Sequence, residues 1–219
     1  MFPSGVARCA TLDGALDSQA SLAKDYTWGD LAIGGIQVKG LVLFPDSSYR
    51  LEEVPEPRLG ENIFAPDDVL IEVELCGICG SDVHHLGDKS GLAGPPKPVV
   101  TGHEITGTVR GVGSGVTRFA AGDSVVCEIV TFYCGHCVNC RAGLHNICIN
   151  TPPMHGRAHY ITGGGFAPLV VWPERHVHQL PDSISFKEAV LLELCTPWLN
   201  ASRYGPGSQY SFSARAHGA

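Results

Sequence analysis

The chain has 219 residues, of which 44% are hydrophobic and 17% charged, and its formal net charge is −7 with neutral histidines. A chain of this length and composition can bury one large core. It contains no run of lysine and arginine, so we expect no nucleic-acid partner, because binding to a phosphate backbone depends on clustered cations. No apolar stretch approaches the ~20 residues that span a bilayer, so we expect no membrane partner.

Residues 1–37 are interpreted as an N-terminal extension that is poorly ordered. They lack the charged and apolar regions of a secretory signal, and Asp13, Asp17 and Asp25 are unlike the acid-poor composition of a transit peptide. The sequence therefore predicts a cytoplasmic protein. In a reducing compartment, its nine cysteines are expected to bind metal or remain free thiols rather than form disulfides.

From Val38 onward the pattern indicates a mainly β protein with few helices. Residues 38–44 (VKGLVLF) form a first candidate strand, and a Pro- and Gly-rich turn region follows at 55–68. Residues 103–130 contain two or three short strands, and residues 163–181 contain two more. Residues 68–77 (DVLIEVELCG) alternate between apolar and acidic side chains, which predicts a half-buried strand. Its predicted buried face comprises Val69, Ile71, Val73 and Leu75.

One helix is predicted near the end of the chain, from Ser185 to Leu194. Ser185 and Glu188 form an S-x-x-E capping box ahead of an apolar run. This pattern is typical of a helix start, because the two side chains satisfy backbone N–H groups that the first turn leaves unpaired.

Four cysteines at residues 133–148 (YCGHCVNCRAGLHNIC) have the spacing C-x2-C-x2-C-x7-C. Two overlapping C-x-x-C steps and a fourth cysteine after a short loop favour a closed tetrahedral site for Zn²⁺. Four thiolates fill the coordination shell, so this metal is expected to be structural. Two disulfides, free loop thiols and an iron–sulfur cluster are the alternatives. The predicted ligands are Cys134, Cys137, Cys140 and Cys148.

Two further motifs precede this segment, CGICGSDVH at residues 76–84 and GHEITGTVRGVGSGV at 102–116. In this order, the three motifs resemble the zinc-containing medium-chain alcohol and polyol dehydrogenases, the family of sorbitol, xylitol and butanediol dehydrogenases. The resemblance covers residues 38–193. It implies a GroES-like catalytic domain, a twisted, partly open β-barrel, with the zinc-binding lobe at residues 133–150.

The resemblance also implies a second, catalytic zinc site. A thiolate, an imidazole and a carboxylate with one open position suit such a site. The implied metal ligands are Cys79, His103 and Glu104, although Glu104 binds the metal directly in polyol-type members and lies behind the ligands in others. Glu193 is expected beside the metal or bonding its water. Two zinc ions per chain are therefore expected.

Proton transfer is assigned by the same resemblance. Ser81 is expected to hydrogen-bond the substrate hydroxyl, and either His84 or the bound nucleotide to pass the proton outward. His85 is an alternative to His84, and either could be a surface histidine. Asp82 is interpreted as a residue that stabilises the turn, and Cys76 as a buried structural thiol.

The resemblance ends after residue 193. Family members continue with a Rossmann domain that binds NAD(P) through a G-x-G-x-x-G loop. Residues 194–219 instead are rich in Ser, Ala and Gly and are predicted to be a divergent, disordered tail. The sequence thus predicts that the Rossmann domain is missing, that no cofactor-binding residue is present, and that the isolated chain is inactive.

The expected function is a zinc-dependent, NAD(P)-linked oxidoreductase of secondary alcohols or polyols, present as a truncated catalytic domain. The alternative is a non-catalytic zinc-binding fragment that is inert or binds a partner. A zinc module for nucleic acid is disfavoured by the net charge. Apart from a small alcohol substrate, the expected partners are a second copy or another chain that covers exposed apolar surface.

Overall fold

The computed structural model describes residues 36–60, 66–86, 95, 97–129, 133–150 and 163–195. These residues are mostly sheet with few helices, as predicted. Almost all of the expected extension (1–37) and tail (194–219) lies outside the described residues. None of the described helices has the length and apolar character needed to cross a membrane.

The strands and helices have the following bounds. The strands are β1 (Gln37–Leu43), β2 (Tyr49–Pro55), β3 (Asp68–Gly77), β4 (Val99–Val100), β5 (Glu104–Val112), β6 (Ser124–Cys127), β7 (Leu169–Pro173) and β8 (Val177–Gln179). The α-helices with both ends inside the described residues are α1 (Gly80–His84), α2 (Val138–Arg141) and α3 (Phe186–Ala189). Short 3-10 turns lie at His145–Ile147 and Glu174–His176.

The strands form two antiparallel sheets. The first has the order β2-β1-β4, and the second has the order β7-β3-β5-β6-β8. The sequence did not indicate β2, because its exposed side chains show no apolar alternation and Val54 is its one buried residue. It did not indicate β4 either, because that strand has two residues.

Strand β3 has the predicted bounds, but Leu75 was assigned to the wrong face. Val69 and Ile71 are fully buried, whereas Leu75 is 36% exposed. The pairing of β3 with β5 shifts register between Val73 and Leu75. Such a bulge adds a residue to one strand and reverses the alternation beyond it, so Leu75 leaves the buried face.

The main core lies on the five-stranded sheet. Each of its side chains is at most 8% exposed, and burying a valine or a larger apolar side chain contributes about 1.5–3 kcal/mol. This core comprises Val69, Ile71, Ile105, Val109, Phe119, Val125, Cys127, Val170, Trp172 and Val177. A smaller cluster of Val42, Val54 and Val100 belongs to the three-stranded sheet.

One segment joins the two sheets. The N–H of Leu41 in β1 donates to the carbonyl of Phe166 at 2.9 Å, and the N–H of Val73 in β3 donates to the carbonyl of Pro168 at 2.9 Å. The N–H of Phe166 in turn donates to the carbonyl of Thr101, just after β4. A connection of this kind is consistent with the GroES-like architecture, while the missing Rossmann domain stays a prediction.

The predicted helix from Ser185 to Leu194 is interrupted. The capping box is present: Ser185 accepts from the N–H of Glu188, whose carboxylate accepts from the N–H of Ser185. The helix α3 then ends, and residues 192–195 are helical again. At the break the N–H of Leu191 donates to the carbonyl of Glu188 at 3.3 Å, a three-residue step that tightens the turn.

Candidate metal centres

The turn between β3 and α1 positions Cys79. Its N–H donates to Asp82 Oδ2 at 2.9 Å, and the N–H of Asp82 donates to the Cys79 carbonyl at 3.1 Å. This reciprocal pair fixes Cys79 in an extended conformation as the N-cap of α1. Asp82 therefore performs the turn-stabilising role that the sequence indicates.

Two glycines make room for the other side chains of the site. Gly102 has φ +95°, and a Cβ there would lie 2.8 Å from Cys76 Sγ. Glycine is therefore required immediately before His103. Gly77 faces Glu104 across the β3–β5 ladder, and a Cβ on Gly77 would collide with Glu104 Oε2.

The predicted catalytic ligands converge. One ligand atom each from Cys79, His103 and Glu104 lies within 4.8 Å of the others. His103 is 5% exposed and Glu104 is 2% exposed. Glu104 Oε1 is buried and has no hydrogen-bond partner among the described residues. A buried carboxylate oxygen without a partner is costly, and a thiolate–imidazole–carboxylate set suits zinc, so these residues fit the metal.

Glu193 lies beside this group but is not part of it. Burial raises the pKa of Glu193, the charge of His103 lowers it, and the charge of Glu104 raises it. These interactions put its half-buried carboxyl near the site. The compact set of three ligands within 4.8 Å does not include Glu193.

The residues assigned to proton transfer differ in exposure. Ser81 is half-buried in α1, His84 is exposed at the end of the helix, and His85 is buried. Burial lowers the pKa of His85, while the charge of Asp82 raises it. Burial also raises the pKa of Asp82. The hydrogen bond from the Cys79 N–H and the charges of His103 and His85 lower this pKa. Asp82 thus interacts electrostatically with His103 as well as holding the turn.

Two further cysteines near this region are structural. Burial raises the pKa of Cys76 to about 12. Burial also raises the pKa of Cys127, which belongs to the main core. Neither thiol belongs to a metal-binding group in the described part of the chain.

The four lobe cysteines form the second group, with their sulfurs within 4.8 Å of one another. Sγ–Sγ distances are 3.7 Å for Cys148–Cys134, 3.9 Å for Cys137–Cys148 and 4.0 Å for Cys134–Cys140. A tetrahedral ion with Zn–S bonds of about 2.3 Å sets its sulfurs about 3.8 Å apart. A disulfide needs about 2.05 Å, and a multi-iron cluster would hold the sulfurs farther apart. The geometry therefore fits one tetrahedral ion.

N–H donors surround these sulfurs. Cys134 Sγ accepts from the N–H of Cys137 at 3.3 Å and from Nδ2 of Asn150 at 3.3 Å. Burial raises the pKa of Cys134, but the N–H groups of His136 and Cys137 and the amide of Asn150 outweigh it and lower the pKa to about 6. The thiolate form, which binds metal, is thus favoured. The sequence motif did not reveal Asn150.

Tyr133 attaches the lobe to the sheet. Its ring stacks on His145 with 4.2 Å between centroids, and meets His176 edge-on at 5.8 Å. The Arg175 guanidinium lies 4.5 Å from the Tyr133 ring centre. Nδ1 of buried His176 lies 2.8 Å from Glu128 Oε1, just after β6. In the sequence, the signal for the contact between the lobe and the sheet was an aromatic residue, Tyr133, directly before a predicted metal ligand, Cys134.

Comparisons with known proteins show which family the chain belongs to. Residues 65–182 match the family model of the alcohol dehydrogenase GroES-like domain. The L-threonine 3-dehydrogenase of Chelativorans sp. (strain BNC1) is 38% identical over 150 residues, which are 68% of this chain and 41% of that protein. The sorbitol dehydrogenase of Bacillus subtilis (strain 168) is 33% identical over 181 residues, which are 78% of this chain and 47% of that protein.

The fold is also similar to that of a solved alcohol dehydrogenase. The cobalt- and zinc-bound thermostable alcohol dehydrogenase from Pyrobaculum aerophilum superposes with a TM-score of 0.60 at 29% identity, covering 72% of this chain and 45% of that one. The chain thus spans less than half the length of these relatives. By the match over 65–182 and by these identities, the chain belongs to the zinc-type medium-chain alcohol and polyol dehydrogenases, as their N-terminal GroES-like domain.

Proposed function

We propose that this chain supplies the zinc-holding catalytic domain of an NAD(P)-linked oxidoreductase of secondary alcohols or polyols. The observation that supports this most is the convergence of half-buried Cys79 with buried His103 and Glu104. Residues 38–193 would form the domain, with the structural zinc lobe at residues 133–150. The proposed location is the cytoplasm, where a reducing environment suits cysteines that bind metal.

In this proposal half-buried Cys79 and buried His103 and Glu104 would hold a catalytic zinc, and the four lobe cysteines would hold a structural one. When bound, the catalytic zinc supplies Lewis acidity, which lowers the pKa of an alcohol hydroxyl. Ser81, two residues after Cys79, would accept the hydrogen bond of that hydroxyl and orient it. Exposed His84 receives the proton and releases it to solvent. The half-buried Glu193 bonds water beside the site.

NAD(P) is the hydride acceptor that the family resemblance implies. We assign no described residue to binding it. Since hydride transfer needs an acceptor held close to the substrate carbon, the 219-residue chain by itself is expected to show no steady turnover.

Cobalt substitution tests the proposal without the nicotinamide cofactor. Co²⁺ at the three-ligand site should change its visible d–d spectrum when a secondary alcohol or polyol such as sorbitol is added, because this site has an open position. The four-thiolate site has none and should not respond. Cys79→Ser should abolish the alcohol response. A wild-type spectrum that alcohols leave unchanged would contradict the catalytic assignment.

A partner-binding zinc fragment is the second candidate, and exposed apolar side chains favour it. Ile78 is 75% exposed, Val83 54% and Leu191 54%, and all three lie on segments that border the three-ligand site. Steady NAD(P)-dependent turnover by the purified chain would exclude this candidate. Turnover only after addition of another chain would support a catalytic domain that works with a partner.

A further inference from the structure

Cys134 is the least enclosed sulfur of the lobe. Cys137, Cys140 and Cys148 are 7%, 5% and 6% exposed, whereas Cys134 is only half-buried. An oxidant or alkylating reagent approaching the lobe therefore meets Cys134 first. Because a thiolate is the reactive form of cysteine, a metal-bound thiolate at this position needs protection.

The side chain of Asn150 contacts the Cys134 sulfur. Its Nδ2 lies 3.3 Å from Cys134 Sγ. The other lobe N–H···S contacts in the described residues come from the backbone, such as the N–H of Cys140 to Cys137 Sγ at 3.4 Å. Asn150 is thus the donor that a substitution can remove without changing the main chain.

A hydrogen bond to a ligand sulfur has two effects. It stabilises the thiolate over the thiol, which keeps the sulfur on the metal. It also draws electron density from the sulfur lone pair, which makes the thiolate a weaker nucleophile. Partners of this kind commonly change metal affinity 10–100-fold.

We propose that Asn150 is a positioning residue that protects the Cys134 thiolate, holding it on the lobe metal and limiting its attack by electrophiles. This inference rests on the proposed metal-binding role of the lobe. It assigns a task to a residue outside the four-cysteine motif. Asn150 is exposed, so its replacement removes the hydrogen bond without opening a cavity.

The test compares two substitutions with a matched control. Asn150→Ala removes the amide, and Asn150→Asp keeps its size but replaces the donor by a negative charge. Asn139→Ala is the control, because Asn139 Nδ2 donates to the Ile147 carbonyl, inside the same lobe but away from sulfur. Each variant, and the reference chain called wild type in this test, also carries Cys79→Ser, so that the sulfur-to-cobalt band and the metal affinity report the lobe alone. The full chain is loaded with zinc or with Co²⁺.

Three quantities are measured. They are the rate at which N-ethylmaleimide labels Cys134 in the zinc-loaded chain, the zinc affinity in chelator competition, and the energy of the sulfur-to-cobalt charge-transfer band. In Asn150→Ala and Asn150→Asp, labelling should be faster, affinity should fall about 10-fold, and the band should move to lower energy. Asn139→Ala should leave the band and the labelling rate unchanged.

The possible failures are distinguishable. A wild-type chain without a sulfur-to-cobalt band would refute the metal-binding lobe, and the role of Asn150 with it. A normal wild-type band that Asn150→Asp leaves unchanged, with unchanged labelling, would refute the role of Asn150 alone. Equal changes in Asn139→Ala would also refute it, because they would indicate general loosening of the lobe.

Discussion

The position of the Glu104 carboxylate depends on the absence of a side chain at Gly77. The two residues are opposite each other in the β3–β5 ladder, and a Cβ on Gly77 would occupy the position of Glu104 Oε2. Gly77→Ala should therefore displace the carboxylate from Cys79 and His103. We expect loss of the metal at this site and a destabilisation of about 1–3 kcal/mol. Elemental analysis and urea unfolding measure these two effects.

Gly80→Ala is the matched control for this prediction. Gly80 lies in the same turn, but a Cβ there would meet no heavy atom within 4 Å. This variant should keep its metal and its stability. If Gly77→Ala also retains full metal content, Glu104 is not a ligand in the position that the structure gives it.

Glu128 makes the stability of the fold depend on pH in the acid range. Hydrogen bonds from His176 and His178 lower its pKa from 4.5 to about 2. A carboxyl whose pKa is lower in the folded state stabilises the fold above its unfolded pKa, and this contribution disappears as pH falls from 4.5 towards 2. Because the side chain is 50% exposed, solvent screening reduces the effect to about 1 kcal/mol.

Glu128→Gln measures this contribution. Urea unfolding of both proteins should show the wild type losing more stability than the variant between about pH 5 and about pH 3. Comparing the two proteins at each pH separates this effect from acid release of metal, which both share. Parallel pH profiles would show that the Glu128–His176 contact contributes nothing.

At the scale of elements, Tyr133 joins the lobe to the sheet through ring contacts with His145 and His176. Tyr133→Leu removes the ring and should destabilise the chain by about 1–2 kcal/mol, since aromatic pairs contribute about 0.5–1.5 kcal/mol beyond area burial. Tyr133→Phe keeps the ring and should remain within about 0.5 kcal/mol of wild type. Thermal unfolding compares them, and equal losses in both variants would contradict the stacking role.

The sequence predicts elements well where the signal is local. The bounds of β3 follow from its alternation, and the start of α3 follows from the Ser185–Glu188 capping box. Leu75 was assigned to the wrong face because a bulge depends on the partner strand. The predicted continuity of the helix from Ser185 to Leu194 was wrong as well, because the hydrogen-bond pattern tightens at Leu191 before the chain becomes helical again at residues 192–195. Both errors arise from contacts that a local pattern does not contain.

The same distinction applies to the candidate sites. The cysteines of the lobe are close together in sequence, so their spacing alone predicts that they meet. The fit of Glu104 against Gly77 comes from strand register, and the contact of Asn150 with Cys134 comes from the path of the lobe. The spacing of the lobe cysteines thus predicted one ligand group and the family resemblance implied the other, while these supporting contacts went undetected.

At the scale of the whole molecule, the two proposed metal sites are expected to contribute differently to the stability of the fold. The lobe is held by four thiolates in a segment with short helical turns and a small buried cluster. Its metal should therefore contribute folding free energy directly. The three-ligand site lies on strands that the main core already stabilises.

Cys137→Ser should accordingly lower the melting temperature more than Cys79→Ser does. Cys137 is buried and is a ligand of the closed group, so its loss should loosen the whole lobe. Thermal melts of both zinc-loaded variants test this order. The reverse order would exchange the structural and catalytic assignments.

The number of zinc ions per chain, measured by elemental analysis of the purified protein and its Cys79→Ser variant, tests the two-site arrangement most directly. We expect two zinc ions in the wild type and one in Cys79→Ser, with the four-cysteine group still occupied. A wild type with a single zinc that Cys79→Ser leaves in place would contradict a metal at Cys79, His103 and Glu104, and with it the proposed catalytic function.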